Sequence, residues 1–332
     1  MICVVIKMNV TIENDKIYVD KKPYFVKGVN YSPFGVGVTW RDPYPSEEIV
    51  KEDFMILKEL GANAIRTYDM VPDYVFDLSE KFNLGLIDGV WIEQGNVDFS
   101  SSKVINQYEE HVKKHVSRDS NFKSLFMYLI GNEINPHLAK KHGTKFWEKF
   151  FKKMYDAANA VDADTPKSYA HFPLSGRYFA SAMDVISLQV YPWEFIEDGN
   201  YRLGDEKLYK KYEKYIFDHK AFNKPIVVTE FGMHSKPPND QSDEESILLG
   251  EKNQVKEVKI QFDILKKLDI AGLCVFEFSD EWWKDAWTPD PKKGSPDVHD
   301  FSDPEEFFGI VDTYRRKKPV FEVVKESFKS QT

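Results

Sequence analysis

Apolar runs of strand length alternate along this chain with longer segments that carry one apolar stripe. The opening reads Ile17-Tyr18-Val19, then Asp20-Lys21-Lys22-Pro23, then Tyr24-Phe25-Val26. It predicts a short N-terminal β-hairpin, about residues 9–24, feeding a first strand near Phe25–Asn30. A helix follows, with Ser46 to cap it, Glu47 and Glu48 at its positive end and Gly61 to stop it. Ile49, Ile56, Leu57 and Leu60 form its predicted apolar stripe. The strand Ala64–Tyr68, a helix near 72–82 and a third strand over Gly85–Trp91 come next.

The alternation continues with helices near 103–116, 146–161, 208–219, 255–265 and 319–328. Between them lie strands ending at Glu133, near 167–170, over 185–191, ending at Glu230, and over 272–278. Eight strands alternating with helices, with no repeat or long linker, predict a closed parallel α/β barrel. The expected fold is the (β/α)8 TIM barrel as a single domain spanning 1–332. The polar, tryptophan-bearing segment Ser279–Asp312 then becomes the loop after the eighth strand, on the rim where function is usually built.

Two of the apolar strands end in a glutamate. One reads Leu125-Phe126-Met127-Tyr128-Leu129-Ile130-Gly131-Asn132-Glu133, the other Pro225-Ile226-Val227-Val228-Thr229-Glu230-Phe231-Gly232. A carboxylate at the end of an apolar strand is costly unless something pairs or uses it. In a parallel barrel both would reach one pocket, and glycoside hydrolysis is the chemistry that needs two facing carboxyls. Its retaining form needs them about 5–5.5 Å apart. Arg66 and Tyr191, at the ends of strands two and six, suit the task of keeping one glutamate ionised. Asn132 suits a sugar hydroxyl. Either glutamate alone has a bland reading as the partner of a rim lysine. Four such residues at four strand ends are poorly explained by chance.

Composition narrows the partners. A net charge of −9 argues against nucleic acid. The pairs Lys113-Lys114, Lys152-Lys153 and Lys210-Lys211 read as solvated helix faces. No stretch is long and apolar enough to cross a bilayer, and the short apolar start is unlike a secretory leader, so a soluble cytoplasmic protein without a membrane partner is expected. Cys3 and Cys274 read as free thiols. No phosphate loop is present, and no cofactor or metal is expected. His111 and His115 have the i, i+4 spacing of zinc ligands but lack a third ligand, so one surface and one packed histidine is the expectation. The acidic segment 297–306 lacks an EF-hand pattern and reads as a solvated loop. Aromatic residues make up 15% of the chain, with seven tryptophans, which suits a cleft for sugar rings.

The glutamate motifs make a resemblance specific. Gly131-Asn132-Glu133 and Thr229-Glu230-Phe231-Gly232 resemble the clan A glycoside hydrolases. Tyr24–Asn30, Leu60–Tyr68 and Phe308–Asp312 through Lys318-Pro319 look most like the barrel domain of glycoside hydrolase family 2. The resemblance covers roughly residues 20 to 328. It implies Glu133 as acid/base, Glu230 as nucleophile, Arg66 and Tyr191 as its positioners, and Asn132 as the contact to a 2-hydroxyl. It also implies a tryptophan after strand eight as subsite floor, Trp282 first and Trp283 next. Trp91 and His171 are further cleft candidates, and Glu277 is the rival to Glu230.

The expectation is a barrel without the β-sandwich domains that precede it in typical family 2 enzymes. Gln189 stands where related family 5 enzymes commonly carry a histidine. The implied activity is retaining β-glycoside hydrolysis of a carbohydrate substrate by double displacement. Lys27–Tyr31 also resembles the fungal β-1,3-glucanosyltransferases, so glycosyl transfer by the same two glutamates is an alternative. A non-catalytic carbohydrate-binding barrel is another.

Overall fold

The computed structural model describes residues 7–95, 97–173, 181–196, 201–238, 242–287 and 303–331, with backbone alone at 285–287. Cys3, the Trp287 side chain and most of the acidic segment 297–306 lie outside the described residues.

Eight strands close a parallel barrel in chain order: β4 (Val26–Asn30), β5 (Ala64–Arg66), β6 (Gly85–Val90), β7 (Leu125–Asn132), β8 (Lys167–His171), β9 (Ile186–Gln189), β10 (Ile226–Phe231) and β11 (Gly272–Val275). β11 pairs back onto β4 and completes the ring. The TIM-barrel expectation holds. Parallel neighbours need long crossovers, and among the described residues helices supply all but the one from β8 to β9, while the last helix follows β11. The helices are α1 (Glu47–Leu60), α2 (Asp73–Lys81), α3 (Ser102–Asp119), α5 (Thr144–Val161), α6 (Glu206–Asp218), α7 (Glu244–Leu265) and α8 (Val320–Lys329).

The short α4 (Pro136–His142) was not anticipated; it buries no residue, so it leaves no apolar stripe to read. In α1 the buried face is Val50, Asp53, Phe54, Leu57 and Leu60, while the expected Ile49 is 44% exposed. The stripe was obscured because Asp53 belongs to it. That buried carboxylate takes Arg315 Nε at 2.8 Å and the Tyr31 hydroxyl at 3.0 Å. Ser46 holds the cap position without a side-chain capping bond, and Gly61 ends the helix at φ 87°, where glycine is favoured.

The N-terminal hairpin is a three-stranded antiparallel sheet: β1 (Val10–Glu13), β2 (Lys16–Val19) and β3 (Lys22–Pro23). The chain reverses at Asp20-Lys21, both with positive φ, so the return strand begins at Lys22 rather than Tyr24. Asp-Lys is a weak signal for a turn that usually carries Asn-Gly.

Val10 and Ile17 from this sheet join Val26, Ala64, Val185, Val227 and Ala271 in one apolar cluster at the strand starts. The sheet therefore stoppers the barrel at its N-terminal mouth and leaves the opposite mouth for chemistry. A larger cluster fills the layer between strands and helices. Ile17 is 2% exposed. Ile17→Ala is expected to lower the unfolding free energy by about 2–4 kcal/mol in a denaturant titration.

Candidate active site

Both glutamates emerge where the barrel ladder is irregular. β7 shifts register against β8 between Leu129 and Asn132, just before Glu133. β10 shifts against β9 between Val228 and Glu230. Such irregularities bend a strand and re-aim its side chains. Gly131 sits at φ 82° and Glu133 itself at φ 40°, a conformation that costs a non-glycine residue of order 1 kcal/mol.

Neighbouring bonds hold this turn. The Glu133 N–H donates to Ala170 O at 3.1 Å, the Ile134 N–H donates to the Tyr169 hydroxyl at 2.7 Å, and Gln94 Nε2 donates to the carbonyls of Asn132 and Glu133 at 2.9 and 3.2 Å. Just after β10, Gly232 lets the Phe276 carbonyl approach so closely that an added Cβ would lie 2.3 Å from its oxygen.

Glu230 is 5% exposed and ringed by donors. Its Oε1 accepts from Arg66, from Gln189 Nε2 and from the Tyr68 hydroxyl, the last at 2.9 Å. Its Oε2 accepts from the Tyr191 hydroxyl at 3.0 Å. Four donors, one a guanidinium, converge on its two oxygens. Burial and then the charge of Glu230 raise both tyrosines well above their usual range, so both remain donors.

Arg66 is fixed in turn. Nη1 donates to Asn30 Oδ1 at 2.9 Å, Nη2 donates to Asn132 Oδ1 at 2.5 Å, and the guanidinium lies 4.3 Å over the Tyr68 ring. Gln189 Nε2 also donates to Asn132 Oδ1, at 2.8 Å. With its oxygen doubly engaged, Asn132 retains the Nδ2 donor for a ligand.

Glu133 is half-buried and differs in kind. Desolvation of its carboxyl and the charge of Glu230 push its pKa well above the usual carboxylate value, against the opposing pull of Arg66. Like charges close together oppose each other's ionisation, and of the two it is Glu133 whose pKa is raised.

The structure thus brings together Glu133, Glu230, Arg66, Asn132 and Tyr191. Tyr68, Gln189 and Asn30 join them and were missed. Tyr68 lies two residues beyond Arg66 at the end of β5, and Tyr191 two beyond Gln189 at the end of β9, and that two-residue spacing was the available signal.

Trp91 is half-buried at the rim, its Nε1 3.4 Å from Glu93 Oε2. Trp282 meets Tyr314 edge-on at 5.9 Å, and Trp283 is buried. Trp193, which was not anticipated, stacks on Tyr191 at 4.6 Å. His171 is buried, edge-on to Tyr169 at 4.8 Å. Glu277 is paired with Lys284 at 2.5 Å. His115 is the packed histidine, between Asp88 at 2.9 Å and Asp119 at 3.2 Å, and His111 is half-buried. Cys274 is a buried free thiol.

Residues 10–241 match the family described as glycosyl hydrolases family 2, TIM barrel domain. The chain belongs to glycoside hydrolase family 2. Among curated relatives, a β-glucuronidase of Sus scrofa is 24% identical over 82% of this chain and 40% of its own length. A 1,3-β-glucanosyltransferase of Saccharomyces cerevisiae is 24% identical over 80% of this chain and 58% of its own.

Among solved structures, a family 2 β-galacturonidase from Eisenbergiella tayi superposes with a TM-score of 0.74 at 20% identity, covering 98% of this chain and 55% of that one. A β-D-glucuronidase of Dictyoglomus thermophilum gives a TM-score of 0.76 at 19% identity over 98% and 54%. The chain spans roughly half the length of these family 2 proteins, and likeness at such identity shows the shared fold. No described helix is long and apolar enough to cross a membrane.

Arg66→Met leaves Glu230 buried without its cation and is expected to cost about 3–5 kcal/mol of stability. Adding Glu230→Gln should recover most of that loss in a double-mutant cycle followed by denaturant unfolding.

Proposed function

We propose that this family 2 barrel hydrolyses β-linked glycosides with retention of configuration. The observation that carries the reading is the opposed surroundings of the two glutamates: Glu230 held by four donors, Glu133 desolvated beside its charge with a raised pKa.

In the first step the Glu230 carboxylate attacks the anomeric carbon as the glycosidic C–O bond breaks. Glu133 gives its proton to the departing oxygen, and a glycosyl ester on Glu230 results. In the second step Glu133, now ionised, takes a proton from water. That water attacks the anomeric carbon and releases Glu230. Arg66, Tyr68, Gln189 and Tyr191 orient the nucleophile, and Asn132 Nδ2 is the donor for the adjacent 2-hydroxyl. The substrate is carbohydrate and no cofactor enters either step.

A second reading is supported by the likeness to the yeast glucanosyltransferase. There a sugar hydroxyl replaces water in the second step. Chromatography of products from a β-linked oligosaccharide separates the two, since transfer yields chains longer than the starting material and hydrolysis only shorter ones.

Glu230→Ala should lower kcat/KM on an aryl β-glycoside by roughly 10⁴-fold or more. Full activity in that variant would overturn the assignment. Glu133→Ala should lose far less on a dinitrophenyl glycoside, whose leaving group needs no proton, than on a phenyl glycoside. Azide should restore turnover and appear as a β-glycosyl azide.

The pH dependence follows from the same asymmetry. Glu133 acts protonated, so kcat/KM should fall as pH rises through its elevated pKa. That alkaline limb should be missing from the Glu133→Ala profile on the dinitrophenyl substrate.

A further inference from the structure

We propose that Gln189 is a positioning residue for the sugar as well as for the nucleophile. It holds the Asn132 amide with its N–H toward the 2-hydroxyl, so the preference for a 2-hydroxy over a 2-deoxy glycoside depends on a side chain that acts through Asn132. The inference rests on the glycosidase reading and deepens it.

Four side chains from four strands close a ring of hydrogen bonds. Arg66, at the end of β5, donates to Glu230 on β10 and, through Nη2, to Asn132 Oδ1 at the end of β7, the latter at 2.5 Å. Gln189, at the end of β9, serves the same two acceptors from a single nitrogen. Its Nε2 donates to Glu230 Oε1 and, at 2.8 Å, to Asn132 Oδ1. One bond to Asn132 Oδ1 would leave that amide free to swing about it. A second, arriving from another strand, fixes its direction.

The place of Gln189 is set by the barrel itself. Its side chain is fully buried, its Cα is paired with that of Glu230 across β9 and β10, and the Val190 N–H donates to Glu230 O at 3.0 Å. From there the side chain reaches past β8 to Asn132 on β7. Glu230 also decides which way round the Gln189 amide sits. Turned over, the Gln189 oxygen would face Glu230 Oε1 and Asn132 Oδ1, an acceptor against two acceptors, and both bonds would be lost.

Asn132 inherits its orientation from this ring. Its Oδ1 accepts two bonds, one of them from a cation. Each draws electron density from the amide nitrogen and makes Nδ2–H a stronger donor. Hydrogen bonds to the 2-hydroxyl of a glycoside tighten in the transition state, so a donor already aimed there lowers the barrier. Tyr68 supplies the contrast. Its hydroxyl bonds the same Glu230 Oε1 at 2.9 Å, and its other hydrogen bonds among the described residues run to Arg66 and Asn30.

Steady-state kinetics on two substrates test the proposal. One is the aryl β-glycoside that the wild type cleaves fastest among gluco, galacto, manno, xylo and glucurono; the other is its 2-deoxy counterpart. Dividing each variant's kcat/KM by the wild-type value on the same substrate cancels their different intrinsic reactivities. Gln189→Met should lose about ten-fold more on the 2-hydroxy substrate than on the 2-deoxy one. Tyr68→Phe, which loosens Glu230 alone of the two acceptors, should lose equally on both. Introduced into Asn132→Ala, Gln189→Met should cost the same on both substrates. Equal losses for Gln189→Met in the wild-type background overturn the proposal. So does an equal gap in Tyr68→Phe, or a gap that survives without Asn132. Thermal melts check the fold. Should Gln189→Met not fold, Gln189→Asn, which keeps the amide but draws it back by one methylene, carries the same comparison. A wild type that cleaves none of the panel sinks the hydrolase reading and this inference with it, whereas equal losses beside an active wild type sink the inference alone.

Discussion

The ion pair between Arg66 and Glu230, nearly sealed from solvent inside the barrel mouth, organises everything else in this pocket. A buried pair of this kind gains little net stability, because both ions lose their water. What it secures is a committed charge. With Arg66 in place and three further donors around it, Glu230 is held as the acceptor of a fixed set of bonds. That fixed negative charge lifts Glu133, and the same guanidinium pins Asn132 through its oxygen. The surroundings of both glutamates and the orientation of Asn132 are therefore set by one contact between strands β5 and β10.

The barrel makes such a contact possible because the strand ends converge while the chain that links them stays outside. The stopper sheet at the opposite mouth matters for the same reason. It lets apolar residues such as Phe126, Met127 and Val227 dominate the lower barrel, away from the polar cluster around Glu230. Glu133 carries backbone strain at the polar end. The positive φ of Glu133 is opposed by bonds from Gln94 and Tyr169, and both glutamate-bearing strands break register at the position that matters. A regular ladder would aim these side chains differently.

Most of the eight barrel strands were legible as short apolar runs bounded by turns and helices, whereas Lys167–His171, rich in polar residues, gave only a weak signal. The two glutamates were legible because a carboxylate closing such a run is expensive. Less visible was whatever depends on which way a strand residue faces. Tyr68 and Gln189 look like ordinary strand residues until Arg66 and Tyr191, two positions away, are known to point inward. Asn30 looks like a strand terminus until its amide is seen to bridge Arg66 to the carbonyls of Thr229 and Val275. The stripe of α1 was misplaced because a buried Asp53 interrupts its hydrophobic pattern, and its partner Arg315 is far away in the chain. Helix α4 left no stripe at all. Except for α4, the missing information is a long-range polar contact, and local periodicity does not encode those.

The central claim is electrostatic: Glu133 holds its proton because its carboxyl is desolvated beside the charge of Glu230. Titration of side-chain carboxyls by carbon-13 NMR, with Glu133 assigned by comparison with Glu133→Gln, tests it without a substrate. The account predicts that Glu133 titrates well above the ordinary glutamate range in the wild type and moves down when Glu230→Gln removes the neighbouring charge. A Glu133 that titrates as an ordinary glutamate, or that does not move when Glu230 is neutralised, would contradict it.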